Sequence, residues 1–476
     1  MKYFKNYDII YVKQKSKGIF IVIGLYPNET DRKGVLSMAT LHENTLKFNQ
    51  KMTVTNTGGN LSTDAGLVLV KEFLHSIGFE QLMEKELHFQ DSRLSPTHSN
   101  ETILEQLIFQ LIAGYDTDAS ANILRHDPFF QQMLEKRTLA SQSSLSRFWD
   151  RISESPDALL QLQALNQAML DKVRIQRNAT EMVLDLDSTY SDTYGNQEET
   201  AFNTHYQTTG YHPLVAFDGL TKDFLKAELR SGNTYCSTGA ADFLNPLLEH
   251  YNQTVPVSNI LVRADSGFAA PELYDLCEEK EHQYVIRLKR NRRLFKMAEE
   301  FVQVGDETEW SQREEHFYST RYQAGTWKHD RRVCIRSVRA ANELIFHHEF
   351  IITNLSDAVS AEQVYQTYWK RGTMENFIKE AKNGFFFDKT DSSHLLENAV
   401  RMMVSLLSYN INNFMRTLAF PEKAKGLQIQ SIRLRFFKIA GKLIHSGRRM
   451  MLKLSTHHVY QDEFFHILRQ IQSLSW

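Results

Sequence analysis

From Leu61 to Ala179, apolar residues recur at helical spacing. Leu67, Leu69, Val70, Phe73, Leu74 and Ile77 mark one amphipathic face. A second helix is predicted from Glu101 to Ala113, stopped by Gly114, and Ser144 is expected to cap a third that carries Leu145, Phe148 and Trp149. At Met182 the pattern changes. Met182–Asp187 is an apolar run of strand length, Thr200–Thr208 and Tyr211–Phe217 are strand-like, and Phe224–Leu229 is a further strand candidate. Ala240–Tyr251 reads as helix, Asn259–Asp265 as a buried strand, Pro271–Lys280 as helix and Gln283–Lys289 as strand. Past Arg292 come a helix and several short strands rich in aromatic and charged residues. An apolar strand at Phe350–Thr353 follows, then a strong helix from Ala361 to Asn383 and a long apolar one from Leu395 to Ala419. After a basic segment, His457–Trp476 again reads as helix.

Strands, a helix, a strand, a helix and a strand follow one another from Met182. That is the order of a ribonuclease-H-like core, so the expected fold class is mixed α/β, one mixed sheet flanked by helices. With 476 residues, 42% hydrophobic and 11% aromatic, the chain has material for a sizeable core. The net charge of −2 announces no polyanionic partner, so any nucleic-acid contact has to rest on locally grouped basic residues. Cys236, Cys277 and Cys334 fit no paired spacing, which excludes a disulfide framework or zinc site and suits a reducing cytoplasm. No apolar run reaches the length of a membrane span. Lys13, Lys15 and Lys17 before Gly18–Tyr26 mimic part of a signal peptide, but the run is short and lacks a cleavage site. The simpler expectation makes residues 1–37 an extension ahead of a start at Met38.

Two carboxylates fall at the ends of predicted buried strands, Asp187 in Asp-Ser-Thr and Asp265 in Arg-Ala-Asp-Ser-Gly-Phe. A buried carboxylate needs a partner, hydrogen bonds or a metal, although one strand-end Asp alone reads equally as a turn or cap. Asp185 and Asp187 share a strand face, and geometry does not choose between them. On the helix predicted from Ala361, the offsets of Arg371, Glu375 and Lys382 from Tyr368 fall at roughly 300°, 340° and 320°, so all four share one face. Glu380 points elsewhere. Three acids from two strands and a helix suit Mg2+ or Mn2+, and two such ions clamp the oxygens of an in-line phosphoryl transfer.

Tyr368, Arg371, Glu375 and Lys382 reproduce a Tyr-x2-Arg-x3-Glu-x6-Lys signature without a gap. With Asp187-Ser-Thr and Asp265 in order before it, the chain resembles bacterial insertion-sequence transposases of the DDE class, specifically the DDE domain group 1. Gly114-Tyr-Asp, Leu145-Ser-Arg147, Gly210-Tyr-His-Pro-Leu214, Leu229-Arg-Ser-Gly-Asn233 and Arg263–Phe268 carry the same likeness, over roughly residues 50 to 455. The resemblance implies cut-and-paste DNA movement, with two ions (Mg2+ or Mn2+) held by Asp187, Asp265 and Glu375. It implies that Tyr368, Arg371 and Lys382 position DNA phosphates, and that a synapsed homodimer acts on double-stranded terminal inverted repeats and target DNA. The expected location is the cytoplasm, at the nucleoid. It also implies a β-rich insertion between Asp265 and Glu375, which are 110 positions apart. The expected organisation is then an extension (1–49), a helical DNA-binding region (50–180), the core (181–291 and 350–420) around the insertion (292–349), and a basic C-terminal region (421–476). In that insertion Trp310 and Trp327 are stacking candidates for a flipped base, with core packing the expected fate of both. A metal nuclease without strand transfer and a DNA-binding protein that has lost catalysis remain the rival readings.

Between Glu422 and Lys453 a single acid faces Lys423, Lys425, Arg433, Arg435, Lys438, Lys442, Arg448, Arg449 and Lys453. In a near-neutral chain this excess reads as a phosphate-binding surface, with Arg433, Arg435, Lys438, Arg448 and Arg449 as its DNA contacts. A solvated helix face is the plain alternative. A second basic cluster, Lys289–Arg293, follows the last predicted core strand.

Overall fold

The computed structural model describes residues 44–155, 157–253, 257–302 and 310–476. The signal-like segment and the expected 1–37 extension lie outside the described residues. Residues 44–58 belong to a small unit of their own, in which Thr45–Leu46 pairs antiparallel with Asn49–Thr53. The second unit spans Gly59–Trp476.

That unit is built on an eight-stranded mixed sheet. Its strands in chain order are β1 (Glu181–Ser188), β2 (Leu214–Asp218), β3 (Phe224–Glu228), β4 (Asn259–Ala264), β5 (Gln283–Leu288), β6 (Glu314–Tyr322), β7 (Arg331–Arg339) and β8 (His347–Thr353). In space they run β3-β2-β1-β4-β5-β8-β7-β6. β1, β4 and β5 are mutually parallel and the other neighbours antiparallel. The parallel strands are near-continuous apolar runs because both faces are covered. The residues expected as a β-rich insertion supply a helix (Arg292–Phe301) and β6, β7 and the start of β8. These strands continue the main sheet edge to edge, since Val285 to Leu288 pair with Thr353 to Phe350.

Alternation along β5, β7 and β8 sorts the two faces. Val285, Cys334 and Ile351 pack with Val364 and Tyr365 of the helix Ala361–Trp369. Tyr284, Ile286, Val333 and Ile352 turn to the main core on the other side. That core is organised by the helix Leu395–Ala419, buried along nearly its whole length. Its polar residues are used in place: Asn410 Oδ1 accepts from Phe224 N at 2.8 Å, and Asn413 Nδ2 donates to Asp223 at 2.7 Å. Helices Asn100–Ala113, Gln142–Ser153 and Ala158–Arg177 pack on it. The C-terminal segment interlocks with this N-terminal group. Gly441–Lys442 pair with Leu61–Ser62, and the helix Gln461–Gln472 packs on Val68–Ile77.

Three local expectations are corrected. The helix carrying Trp149 starts at Gln142 after Ser141, not at Ser144, because three serines within four residues offer equivalent starts. Thr200–Thr208 is not one strand. Asn203 Oδ1 accepts from His205 N (2.9 Å) and Tyr206 N (3.1 Å), a local turn that splits the segment into Ala201–Asn203 and Thr208–Tyr211. The helix from Ala361 is not continuous to Asn383. It is interrupted by a 3-10 turn at Lys370–Thr373, around Gly372, and resumes at Met374–Phe385. Among the described residues no helix is long and apolar enough to cross a membrane.

Candidate active site

In the parallel pair β1–β4, Leu186 lies opposite Ala264. Asp187 and Asp265 each come one position later, Asp187 still in β1 and Asp265 just past the end of β4, on strands that run about 4.8 Å apart. The same register puts Asp185 opposite Arg263 and, through β5, Arg263 opposite Val285. The two acids therefore face the helix Ala361–Trp369, as Val285 does.

Asp185 and Asp187 share that face but not their surroundings. Asp185 is fully buried, and Arg263 grips both its oxygens, Nε at 2.7 Å and Nη2 at 2.6 Å. Arg263 Nη1 donates onward to the Thr367 carbonyl at 2.8 Å. Asp185 is thus a strut tying sheet to helix, and Gly219 passes so close that a Cβ there would lie 2.4 Å from its Oδ2. Asp187 stands at the strand's open end. Its Oδ1 accepts from Ser188 N at 2.9 Å, and its Oδ2 lies 2.8 Å from Arg371 Nη2. Burial pushes the Asp187 carboxyl up to about 6. Arg371 opposes this, while the charges of Asp265 and Glu375 add to it. Asp265 caps the turn after β4 by accepting from Gly267 N at 2.8 Å. Glu375 lies exposed in the first turn of Met374–Phe385. The three acids are thus neighbours, though among the described residues no three acidic, His or Cys side chains are close enough to hold one ion together.

Arg371 lies beside Asp187 and within reach of the Asp265 charge. It is 8% exposed. Burial works against its charge and is outweighed by Asp187 and Asp265. Its contact with Asp187 is one of charge without alignment, since among the described residues Nε and Nη2 make no hydrogen bond. Tyr368 is half-buried nearby, its phenol raised by burial. Lys382 reaches back over the segment leaving β1. Its Nζ donates to the Tyr190 carbonyl, lies 4.0 Å from the centre of the Tyr190 ring and is 3.7 Å from Asp388. Glu380 does point elsewhere, to Arg416 at 3.0 Å and Ile429 N at 2.9 Å.

Several neighbours escaped the sequence reading. The Tyr206 ring packs against Tyr190 (4.5 Å) and His212 (5.9 Å). Burial and then Asp187 push its phenol up to about 12. Cys236 Sγ lies 3.2 Å from Ser188 Oγ, and Lys289 donates to Tyr235 at 2.6 Å on the Asp265 side. The earlier signals were the text around Gly210-Tyr-His-Pro, which holds His212, and the basic cluster Lys289–Arg293, whose first residue reaches this side of the site. Trp327 is packed between Tyr274 and Tyr322, whereas Trp310 is 38% exposed under Arg339.

The C-terminal basic residues separate into two sets. Arg433 is not a phosphate-facing side chain. It donates to the carbonyls of Ile112 (2.8 Å) and Leu111 (2.7 Å), and burial pulls its guanidinium down to about 10. Lys438 is drawn to Asp64 and Tyr115, and Arg435 covers the Tyr460 ring at 4.9 Å. Lys423 and Lys425 pair with Glu463 and Glu422. Lys442, Arg448, Arg449 and Lys453 are exposed.

A family model described as transposase DDE domain group 1 matches residues 44–476. The chain belongs to that family. As a member of the transposase DDE domain group 1, it also resembles solved transposase structures at low identity. The piggyBac transposase synaptic complex with hairpin DNA is 12% identical over 78% of this chain and 80% of that one, with a TM-score of 0.38. The Mos1 transposase paired-end complex with the left transposon end is 12% identical over 42% and 61%, with a TM-score of 0.17. The Mos1 mariner paired-end complex with Mn is 12% identical over 47% and 72%, also at 0.17. The family match, and not these structures, carries the assignment. No curated protein matches this chain.

Proposed function

We propose that this transposase-family chain moves a DNA segment by cut-and-paste, on a ribonuclease-H-like core, with Asp187, Asp265 and Glu375 holding two divalent ions, Mg2+ or Mn2+. The observation that carries the reading is that Asp187 and Asp265 each follow the last paired residue of two adjacent parallel strands, Leu186 and Ala264, with Asp265 and Glu375 both near enough to raise the Asp187 carboxyl. The donor set fits the ions in kind: hard carboxylate oxygens whose mutual repulsion, now met only by a poorly aligned guanidinium, a divalent cation relieves. When bound, such ions supply Lewis-acid activation of the attacking oxygen and neutralise the leaving one.

The chain's own residues do the positioning. Arg371 has unused donors beside Asp187 and offers a planar fork to a scissile phosphate. Tyr368 flanks it, and Lys382, braced on Tyr190, holds charge on the strand leaving the site. Ser188 N and Gly267 N orient Asp187 and Asp265. The strand order β3-β2-β1-β4-β5 supports the ribonuclease-H-like reading. Because excision needs both ends of the element, the active form is a homodimer on two inverted repeats, working in the cytoplasm.

The test is an excision and strand-transfer assay with the element's terminal repeats and Mg2+. Cleaved and joined products are expected from the parent chain, with at least a hundredfold loss in Asp265→Ala and Glu375→Ala. Cleavage without joining would make it a nuclease, binding without cleavage an inactive binder, and full activity in either variant would remove the acids from the mechanism.

A further inference from the structure

Four of the exposed basic residues in the C-terminal segment lie on one supersecondary element. Gly441–Ser446 and Arg449–Leu454 form an antiparallel ribbon. Its two-residue turn, Gly447-Arg448, opens on a glycine at φ +61°, as a tight hairpin of the right twist requires. The ribbon is anchored at its base through Gly441–Lys442 on Leu61–Ser62. Alternation sorts its side chains. Leu443, His445, Met450 and Leu452 face a cleft of about 930 Å³ shared with Lys136 and Arg137, with Glu135 as an acid among the lining. The opposite face carries Lys442 directly across from Lys453, Ile444 across from Met451, and Ser446 across from Arg449.

Two lysines placed opposite each other repel, and such a pair weakens a hairpin unless something anionic lies over it. Among the described residues no acid does so. Between Glu422 and Lys438 each basic group is engaged: Lys423 on Glu463, Lys425 on Glu422, Arg433 on backbone carbonyls, Arg435 on Tyr460 and Lys438 on Asp64. Of the basic residues between Glu422 and Lys453, those on this ribbon alone lack an acid, ring or carbonyl partner among the described residues. Six residues per strand span about 20 Å, and a two-stranded ribbon fits a major groove about 12 Å wide.

The geometry points to this ribbon as a duplex-DNA clamp separate from the carboxylate site, with Lys442, Arg448, Arg449 and Lys453 on backbone phosphates and Ile444 and Met451 between them against the sugar and base edges. The inference rests on the reading of the chain as a DNA transposase and adds the surface that holds the duplex. It assigns the DNA contact to these residues and withdraws it from Arg433 and Lys438.

The full chain is titrated with a labelled duplex in EDTA, by fluorescence anisotropy across a range of salt. Each phosphate contact contributes about 0.9 to the slope of log K against log salt. Replacing Lys442, Arg448, Arg449 and Lys453 together by Ala is expected to flatten that slope by about 3 to 4. Arg448→Ala with Arg449→Ala, confined to the turn and its neighbour, is expected to flatten it by about 2 even if the fourfold variant folds poorly. Lys442→Arg with Lys453→Arg is expected to keep the slope. An unchanged slope in the turn variant overturns the inference, as does loss of single-strand binding with duplex binding intact. Catalysis is read separately, in Mg2+: if Asp265→Ala still cleaves, the catalytic reading fails while the ribbon stands, and if only the ribbon variants bind as the parent does, the reverse holds.

Discussion

Asp187 and Asp185 are two residues apart on one strand, and what separates them is the number of hydrogen bonds each receives. Asp185 takes two from Arg263, while Asp187 takes one from its own chain and a misaligned charge from Arg371. The pH dependence of stability follows. The Asp187 carboxyl rises from its ordinary 3.8 to about 6 on folding. The folded state therefore binds that proton more tightly, and the associated stability is full below 3.8 and lost as pH rises through 6. Asp187→Asn stays neutral throughout. In EDTA, the variant is expected to gain stability on the parent between pH 4 and pH 7, by at most about 3 kcal/mol and less to the extent that Arg371 loses its counter-charge. Urea unfolding at the two pH values measures this. An offset that does not change with pH would contradict the burial of that charge.

The strut formed by Asp185 and Arg263 gives the complementary prediction. Asp185→Ala leaves a buried guanidinium without its carboxylate, in a position tying β4 to the helix Ala361–Trp369. A loss of about 3–5 kcal/mol is expected, against little change for Asp265→Ala, whose side chain caps a turn. Denaturant midpoints compare the two, and equal losses would refute the strut. The elements themselves were legible as far as local pattern reaches. The apolar runs ending in Asp187 and Asp265 were visible as strands because both of their faces are buried. The break at Lys370–Thr373 was not, because no proline marks it and Gly372 alone is tolerated in helices. Four residues spaced for one helical face were therefore read as a single face. In the fold, Arg371 sits in the 3-10 turn against Asp187, while Lys382 follows on the second helix. The basic run after Glu422 was equally visible as a run. Which of its members were free was not, because Ile112 and Leu111, which engage Arg433 together with Gly384, and Asp64, which engages Lys438, lie more than 300 positions away in the chain.

At the scale of the molecule, the N-terminal helices and the C-terminal segment close on each other. Phe464, Ile467 and Ile471 are buried at the interface of Gln461–Gln472 with Val68–Ile77. Trp476 donates to Ser76 at 3.2 Å. Removing residues 457–476 deletes these three buried side chains, worth about 1.5–3 kcal/mol each, and bares the surface they cover. Such a truncation is expected to lower the melting temperature by more than 10 °C, and an unchanged melt would show the helix to be an appendage.

The sheet that runs unbroken from β3 to β6 has a mechanical consequence. An appended body joined by a linker swings, but one joined by a ladder of backbone hydrogen bonds does not, because rotating it means tearing Val285 to Leu288 away from Thr353 to Phe350. Four strand spacings separate β4, which ends in Asp265, from the outermost strand β6. The protein thus carries a built-in ruler of about 19 Å. Whatever touches both places meets a separation that is fixed by the sheet and not free to adjust.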